Sequence, residues 1–268
     1  MVSAFADRIR PGDWDRFPSR IRIGTSRILD LLDEHGVKAT FFVLGWVAQR
    51  HPELVREIDA RGHEIGCHSH EHRLVYEMSP EDFRNDTRRV LKTLQDCIGK
   101  KIHGYRAPSY SITPRSGWAF EILAEEGFAY DSSVFPIRHD RYGYPGFSRT
   151  VVIQHLGERR IVEVPLSTLR LLGTAIPFGG GGYLRLYPIW FTEWAKRHIN
   201  DQERIPMILY VHPWELDPDQ PRLSGTAISV FRHYVNLKGT VRKISRLLGN
   251  SAFQGMGDYL REAGLLAN

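Results

Sequence analysis

Hydrophobic and polar positions along the chain alternate between two periods, and this alternation predicts a series of helices and strands. Apolar residues recur with helical spacing in five segments: 26–35, 52–62, 79–99, 113–127 and 187–199. The clearest is 79–99, in which Ser79 is placed as N-cap, Pro80 occupies the first helical position and Gly99 ends the helix. Short apolar runs typical of buried strands occupy six further segments: 39–45, 63–70, 101–110, 128–135, 160–170 and 206–216. Strands that alternate with helices predict an α/β fold with a parallel sheet or barrel.

Composition narrows the class of protein. The chain has 268 residues, of which 42% are hydrophobic and 25% charged, values typical of a soluble globular protein. Cys67 and Cys97 are its two cysteines, which excludes a disulfide scaffold or a cysteine-rich zinc site and favours reduced thiols. The first residues, MVSAFADRIRPGDW, lack the apolar core of a signal peptide, so we expect a cytoplasmic location. No apolar run approaches the length of about 18 residues that would predict a membrane span.

Two segments carry unusual composition without a clear chemical motif. Residues 232–248 (RHYVNLKGTVRKISRLL) are basic and contain no acid. Such a stretch could bind nucleic acid, anionic lipid or an acidic polymer, but a solvated amphipathic helix is the commoner case, and we expect no nucleic-acid partner. Residues 177–185 (PFGGGGYLR) lack the Lys-Ser/Thr of a phosphate-binding loop and indicate a flexible or closely packed backbone.

Polar residues with chemical potential fall where the predicted strands end. They are His68, His72, Arg106, Asp131 and His212. In parallel α/β folds the active site forms at the carboxyl ends of the strands, so these residues are expected to converge there.

The stretch GCHSHEH (66–72) raises the question of a metal site. His68 and His72 are four residues apart, and two imidazoles with this spacing can bind one ion, although the spacing alone is weak evidence. Catalytic zinc usually has a third protein ligand, for which Asp131 and Glu71 are candidates without compelling spacing. We expect His70 to be an exposed loop histidine.

The remaining candidates each have a structural alternative. His212 ends the apolar run ILYV and is placed for proton transfer, but a core histidine bonded to a carbonyl explains it equally well. Arg106 suits pairing with a buried carboxylate, in a site or in a plain ion pair. Tyr110 and Trp214 could stack on sugar rings, and packing explains both as well.

Four short motifs, in order along the chain, resemble those of one enzyme family. HSHEH (68–72) is similar to the H-[ST]-x-x-H motif of the polysaccharide deacetylases, the NodB-homology or carbohydrate esterase family 4 group. GYRAPSY (104–110), YDSS (130–133) and LYVH (209–212) resemble its later motifs. The resemblance covers most of residues 25–216. Within the family, EVPLSTLR, PFGGGGYLR and VHPWELDPDQP resemble a bacterial subgroup associated with exopolysaccharide and exosortase gene clusters.

The resemblance implies a fold, a reaction and a set of roles. The fold would be a distorted (β/α) barrel, and the reaction the hydrolysis of acetyl groups, usually the N-acetyl of N-acetylglucosamine units, on an acetylated polysaccharide. The cofactor would be a divalent metal, most often zinc, with cobalt as another possibility. The implied roles are: His68 and His72 as metal ligands, His212 as general acid, Leu209 as the lining of the acetyl pocket, Arg106 as the residue that orients the catalytic base, Asp131 in the supporting hydrogen-bond network, and Tyr110 and Trp214 at the substrate. Ser109 departs from the family's usual aromatic residue, and Tyr110 would take part of its role.

A departure from the family pattern lies near the start of the chain. The family's first motif has two aspartates at the end of a strand, one the general base and the other the third metal ligand. Here Asp7, Asp13 and Asp15 lie in segments without strand character, so the first strand is predicted to be missing or truncated. Two hypotheses remain: a shortened version of the natural protein, or a noncatalytic homologue that binds polysaccharide without hydrolysing it. We expect an N-terminal extension over 1–24, the deacetylase domain over 25–216 and a basic helical extension over 217–268.

Overall fold

Six of the strands form one mainly parallel sheet. They are β1 (Thr40–Val43), β2 (Glu64–Cys67), β3 (Gly104–Tyr105), β4 (Tyr130–Asp131), β5 (Val152–Leu156) and β6 (Arg159–Glu163), in the spatial order β1-β2-β3-β4-β6-β5. β5 and β6 pair antiparallel, and every other neighbouring pair is parallel. The predicted α/β class with a parallel sheet is confirmed. β3 and β4 are shorter than predicted, because the chain turns away from the sheet soon after each one ends.

One row of residues crosses the parallel part of the sheet in register. Val43 pairs with Cys67, Cys67 with Tyr105, Tyr105 with Asp131, and Asp131 with Glu163. From Cys67 onward, the residue that follows each member of the row donates its amide N–H to the carbonyl of the neighbouring strand's row member. One example is Arg106 N–H to the Cys67 carbonyl at 2.9 Å. The residues that follow the row therefore emerge side by side at the carboxyl edge of the sheet.

Five of the described α-helices belong to the same compact unit as these strands. They are α2 (Gly45–Arg50), α3 (Pro52–Ala60), α4 (Pro80–Ile98), α5 (Ala119–Glu125) and α10 (Met256–Glu262). The predicted ends of α4 are confirmed: the Ser79 hydroxyl accepts from the Asp82 amide at 3.1 Å, and Gly99 adopts a left-handed φ of 67°. α5 begins later than predicted, because the Ser116 hydroxyl accepts from the Thr113 amide at 2.9 Å and holds that segment in a turn.

A second set of elements surrounds an antiparallel hairpin. The hairpin consists of β7 (Thr168–Leu171) and β8 (Thr174–Pro177), and its helices are α1 (Ile21–Glu34), α6 (Gly181–Leu186), α7 (Ile189–Arg197), α8 (Ala227–Tyr234) and α9 (Thr240–Gly249). The predicted strand over 206–216 is wrong for most of its length. Only Tyr210 forms a bridge, with Gly180, and Pro213–Leu216 is a short helical turn.

The glycine-rich segment is closely packed. A Cβ atom on Gly179 would lie 2.4 Å from the Ile208 carbonyl oxygen, and one on Gly180 would lie 2.3 Å from that of Tyr210. Neither glycine can be replaced without displacing backbone, and α6 begins directly after them. Of the two interpretations of four successive glycines, close packing is the one that the structure supports.

Two cations of the basic segment 232–248 form contacts that stabilise the fold. The Lys243 ammonium donates to the carbonyls of Leu184, Arg185 and Tyr187, at 2.6 to 3.1 Å, and so binds the end of α6. Arg246 forms two hydrogen bonds with Glu193, at 2.7 and 2.9 Å. Two of its cations therefore hold helices in place.

The structure is a computed structural model that describes Phe5, residues 9–139 and residues 142–267, and these form two compact units. The sheet unit contains Lys38–Leu166 and the described residues after Phe253; the hairpin unit contains those up to Val37 together with Ser167–Phe253. The predicted domain boundaries, at 24 and 216, stay a prediction, as does a missing first strand. No described helix is long and apolar enough to cross a membrane. Asp7 lies outside the described residues.

Gly24 provides a test of packing within the hairpin unit. A Cβ atom on this α1 residue would lie 2.0 Å from the Pro213 carbonyl oxygen. Alanine normally favours a helix over glycine, but here we expect Gly24→Ala to lower the free energy of unfolding by about 1–3 kcal/mol. Urea unfolding measures the change. Gly12→Ala is the control, because a Cβ atom there would meet nothing within 4 Å. Equal effects of the two substitutions would contradict the close approach.

Candidate functional site

The histidine-rich loop after β2 is fastened from two directions. The amides of Gly45 and Trp46, at the start of α2, donate to the carbonyls of Ser69 and His70, both at 3.0 Å. From the other direction, the Asp86 carboxylate on α4 accepts from the His70 amide at 3.1 Å. These contacts fix the loop between His68 and His72, which a turn of only five residues could not do alone.

His68 and His72 lie together at the carboxyl edge of the sheet. Their ring centroids are 5.3 Å apart, and the planes are nearly perpendicular. His68 Nδ1 lies 2.7 Å from the Arg106 carbonyl oxygen. A carbonyl can only accept, so Nδ1 carries the proton, and in the neutral ring the lone pair lies on Nε2. Metal-binding histidines commonly have this arrangement.

The imidazoles of His68 and His72 are suitable ligands for a divalent metal, but they are fewer than such a site usually has. Two imidazole nitrogens suit zinc and related ions. Within the parts of the chain that the structure describes, no group of three or more His, Cys, Asp or Glu residues could hold an ion together. Glu71 and Asp131, the sequence-based candidates for a third ligand, do not complete such a group with this pair. The described residues thus bring together two candidate ligands, whereas catalytic zinc usually has three protein ligands.

The expectation for His70 was wrong. Its side chain is buried, not exposed, because the contacts to α2 and Asp86 draw the middle of the loop inward. Burial, aided by the positive charge of Arg89, lowers the pKa of His70. The His70 side chain is therefore a neutral, buried part of the loop.

Arg106 lies one residue beyond β3, between His68 and the next strand. Its Nε–H donates to the Ser132 carbonyl at 2.9 Å, and a second guanidinium nitrogen donates to the Ser132 hydroxyl at 2.7 Å. The guanidinium also lies over the Phe42 ring, with 4.5 Å between its central carbon and the ring centroid. Arg106 thus reaches the segment that follows Asp131, and through its carbonyl it orients His68.

Asp131 faces a second buried carboxyl group that the motifs did not indicate. Asp131 accepts from the Ser133 amide at 3.1 Å and from its hydroxyl at 2.5 Å. Glu163 lies opposite Asp131 on β6, and its side chain accepts from the Val134 amide at 2.9 Å. Both side chains are fully buried. Burial raises the pKa of Asp131, against hydrogen bonds and the charge of Arg106; burial and the charge of Asp131 raise the pKa of Glu163 well above its ordinary value.

His212, in the hairpin unit, is supported by a buried ion pair. Its Nδ1 lies 2.7 Å from Glu215 Oε1, and its amide donates to the same oxygen at 3.0 Å. A carboxylate only accepts, so Nδ1 carries the proton. Arg185 Nε–H donates to the other Glu215 oxygen at 2.7 Å, and both of these side chains are almost completely buried. The result is a chain of charge-assisted hydrogen bonds from Arg185 through Glu215 to a half-exposed imidazole.

The electrostatics keep Glu215 ionised. Burial would raise its pKa, but the hydrogen bonds from His212 and the positive charge of Arg185 outweigh burial, and the pKa is lowered. Arg185 is held in turn, since it also donates to the carbonyls of Arg232, His233 and Val235 at 2.8 to 2.9 Å. An ionised carboxylate is thereby fixed beside the imidazole.

The predicted substrate residues are packed in the structure. Trp214 stacks on His233, with centroids 4.0 Å apart, and lies 5.8 Å from His212 at a small angle between planes. Leu209 is half-buried against the cluster around Phe178 and Met207. Tyr110 contacts Phe135 edge-on at 5.4 Å. The roles of these three residues toward substrate stay predictions. The contact that the structure shows for Trp214 is its stacking beside the His212 ring.

Sequence reasoning missed Asp86, Glu163, Arg185 and Glu215. A signal existed only for Glu215, which lies three residues after His212 in HPWE and shares a helical turn with it. The others come from distant parts of the chain and are recognisable only once the fold brings them together.

Comparison with known proteins finds two family matches along the chain. Residues 14–126 match the family described as polysaccharide deacetylase, and residues 132–261 match a domain of unknown function, DUF3473. The chain carries a polysaccharide deacetylase domain. His68, His72, Arg106 and Tyr110 lie in the part that matches the deacetylase family. Leu209, His212 and Trp214 lie in the DUF3473 match, and Asp131 lies between the two.

Curated relatives of this deacetylase domain are similar over part of their length. A peptidoglycan-N-acetylglucosamine deacetylase of Bacillus cereus is 38% identical over 34% of this chain and 30% of its own length. A putative polysaccharide deacetylase of Bacillus subtilis is 28% identical over 61% and 59%. A chitooligosaccharide deacetylase of Bradyrhizobium is 27% identical over 47% and 56%. The chain thus spans between 30% and 59% of the length of these relatives.

Solved structures support the fold of the deacetylase family. A putative polysaccharide deacetylase from Mycobacterium smegmatis superposes with a TM-score of 0.62 over 98% of this chain and 85% of that one, at 23% identity. A probable polysaccharide deacetylase from Pseudomonas aeruginosa gives 0.60 over 89% and 71%, at 17% identity. At these identities the likeness concerns the fold, and the predicted fold type of the family is confirmed.

The carboxyl pair predicts a pH dependence of stability. Since the pKa of Glu163 is raised above its usual 4.5, the folded state holds one more proton than the unfolded state over the pH range just above that value. The free energy of unfolding should therefore fall as pH rises, by up to about 1.4 kcal/mol per pH unit. Glu163→Gln needs no such proton, so as pH rises through this range it should become progressively more stable relative to the unmodified protein.

The control is Glu126→Gln. Arg84 and Arg88 lower the pKa of Glu126, so that carboxylate is ionised in both states over this range and its replacement should leave the slope unchanged. Urea unfolding at several pH values measures both variants. Parallel stability curves for Glu163→Gln and the unmodified protein would contradict a protonated Glu163.

Proposed function

We propose that this chain is a metal-dependent polysaccharide deacetylase that hydrolyses acetyl groups, chiefly the N-acetyl groups of N-acetylhexosamine units, in exopolysaccharide metabolism. The single observation that carries the proposal is the hydrogen-bonded chain Arg185–Glu215–His212. An amine leaves an amide only when it is protonated, and a positioned imidazole is the side chain that most often supplies that proton. The names of the relatives support the substrate class.

The proposed role of His212 follows from its hydrogen bonds. Because Nδ1–H points to Glu215, the second ring nitrogen, Nε2, is the one that delivers a proton to the leaving nitrogen. Glu215 stays negatively charged and stabilises the imidazolium form before transfer, while Arg185 prevents Glu215 from turning away. Trp214 limits the rotation of the ring from one side.

The proposed metal ligands are His68 and His72, with zinc as the ion that best suits their nitrogens. A divalent ion bound there would supply positive charge that activates water and polarises an acyl oxygen. The protein's own contribution is to orient the imidazoles: the Arg106 carbonyl accepts a hydrogen bond from His68 Nδ1–H, and Asp86 and α2 hold the loop.

A catalytically impaired homologue that binds polysaccharide without hydrolysis is the second candidate. The observation in its favour is that the described residues provide two histidine ligands and no complete group of three. Without a third ligand and a base, turnover falls steeply, because such groups act as a unit. This candidate predicts oligosaccharide binding with no acetate release at any concentration of added metal.

Substitution of Glu215 tests the general-acid proposal. Glu215→Gln removes the charge beside His212 at nearly constant shape, and we expect kcat for acetate release to fall by about 10²–10⁴-fold with little change in substrate binding. Asp217→Asn is the matched control, because Asp217 is also a buried carboxylate paired with an arginine, Arg20 at 2.6 and 2.8 Å. It should lose stability but keep kcat. Equal losses of kcat in both variants would refute a specific role for Glu215.

Metal content separates the two histidine roles. His68→Ala should lower both the bound divalent metal, measured by elemental analysis, and the release of acetate. His212→Ala should abolish acetate release and leave the metal content nearly unchanged. Full turnover by His212→Ala would exclude it as the acid, and an unchanged metal content in His68→Ala would exclude it as a ligand.

A further inference from the structure

The hairpin unit has an apolar surface on which large hydrophobic side chains are exposed to solvent. Its members, which we call the tryptophan face, are Leu172 at the β7–β8 turn, Leu186 at the end of α6, and Trp190 and Trp194 on α7. Trp190 is 65% exposed and Leu172 is fully exposed. Tryptophan is buried in most proteins, so a group of this kind marks an interaction surface.

Two tryptophans and an arginine lie on one side of α7. Trp190, Trp194 and Arg197 follow one another at intervals of four and three residues, which places them on the same side of the helix. Leu186 ends α6, and the extended residues Tyr187 and Pro188 separate it from α7. Phe191 lies beneath the two tryptophans, with ring centroids 6.0 Å from Trp190 and 5.7 Å from Trp194. The indoles therefore rest on a packed aromatic base.

The same core cluster fixes the hairpin beside the helix. Leu171 of β7 and Phe191 of α7 both pack against the cluster formed by Leu169, Phe178, Ala195, Ile199 and Met207. Leu172 directly follows Leu171, and Trp190 directly precedes Phe191. The hairpin and α7 thus pack against the same core cluster within this unit.

Leu172 is the least expected member. It and Gly173 form a two-residue turn with φ values of 48° and 79°. Turns of this geometry favour Asn-Gly, since a left-handed backbone disfavours leucine. Neither the backbone nor water favours a fully exposed leucine here, which indicates that its side chain has a partner outside the chain.

Charge complements this apolar surface. Between residues 164 and 200 the sequence contains a single acid, Glu193, and that carboxylate is buried and paired with Arg246. Arg170, on the hairpin, and Arg197, at the end of α7, are both exposed. The exposed charges nearest in sequence to these apolar residues are therefore Arg170 and Arg197, with one exposed carboxylate, Asp201, four residues after Arg197.

We propose that the tryptophan face binds the surface of an anionic lipid bilayer and attaches the protein peripherally. Leucine and tryptophan side chains enter the boundary between headgroups and acyl chains, and Arg170 and Arg197 meet the lipid phosphates. This composition, apolar residues with tryptophan and flanking cations, is that of surface-bound membrane elements. A sugar polymer that stacks on the indoles is the competing occupant, and the two aliphatic members of the face, Leu172 and Leu186, favour the bilayer over it.

Vesicle co-sedimentation with the full chain tests the proposal. We expect binding to vesicles of phosphatidylcholine with about one third phosphatidylglycerol, weaker binding to phosphatidylcholine alone, and loss in high salt. Trp190→Ser with Trp194→Ser should reduce the partition coefficient about tenfold or more. Arg170→Gln and Arg197→Gln should each reduce binding to the anionic vesicles about fivefold.

The matched control is Ile228→Ser with Phe231→Ser, an exposed apolar pair on α8 of the same unit. These substitutions should leave vesicle binding intact, and circular dichroism confirms that each variant is folded. Brominated phospholipids should quench the tryptophan fluorescence of the unmodified protein and do so much less in the double tryptophan variant.

Four results would overturn the proposal. They are no binding to anionic vesicles, equal losses in the control and the tryptophan variant, a fluorescence response to N-acetylglucosamine oligomers in place of vesicles, and a dimer in solution that the tryptophan substitutions dissociate.

Discussion

The register of the parallel strands is the constraint on which the sheet unit depends. Because Val43, Cys67, Tyr105, Asp131 and Glu163 stand in one row, the residues after them emerge as neighbours. His68 can then reach the Arg106 carbonyl, and Arg106 can reach Ser132, with no long loop in between. A shift of one residue in any strand would turn these side chains to the other face of the sheet. The positions of His68 and Arg106 at the edge of the sheet therefore depend on the backbone hydrogen bonds between the strands.

The two units secure their chemical groups by different physical means. In the sheet unit, backbone carbonyls and amides orient His68 and its loop, so the interactions depend on strand geometry more than on charge. In the hairpin unit, two fully buried and opposite charges orient His212. A buried ion pair is costly to break, since removal of one partner leaves an uncompensated charge. It is accordingly a firm support for a side chain that itself remains half exposed.

Sequence patterns anticipated the elements that are long or that carry their own caps. α4 was predicted at both ends because Ser79, Pro80 and Gly99 act locally. The histidine pair and His212 were recognisable because they belong to motifs. Glu163, Asp86 and Arg185 were not, since each meets its partner only through tertiary contact. The strand predicted near His212 failed for a related reason: Pro213 and Glu215 favour a helical turn there, and the apolar run before them packs as irregular chain.

The turn that joins His212 to Glu215 is only three residues long, while Arg185 comes from a distant helix. The histidine and its carboxylate are therefore preassembled by the local chain, at little entropic cost. Arg185 contributes a different property, because its side chain ties that turn to the carbonyls at the end of α8. Changes in the packing of α8 can thus alter how freely the imidazole moves without altering a single atom of the turn itself. A substitution in α8 would therefore act on His212 indirectly, through Arg185 and Glu215.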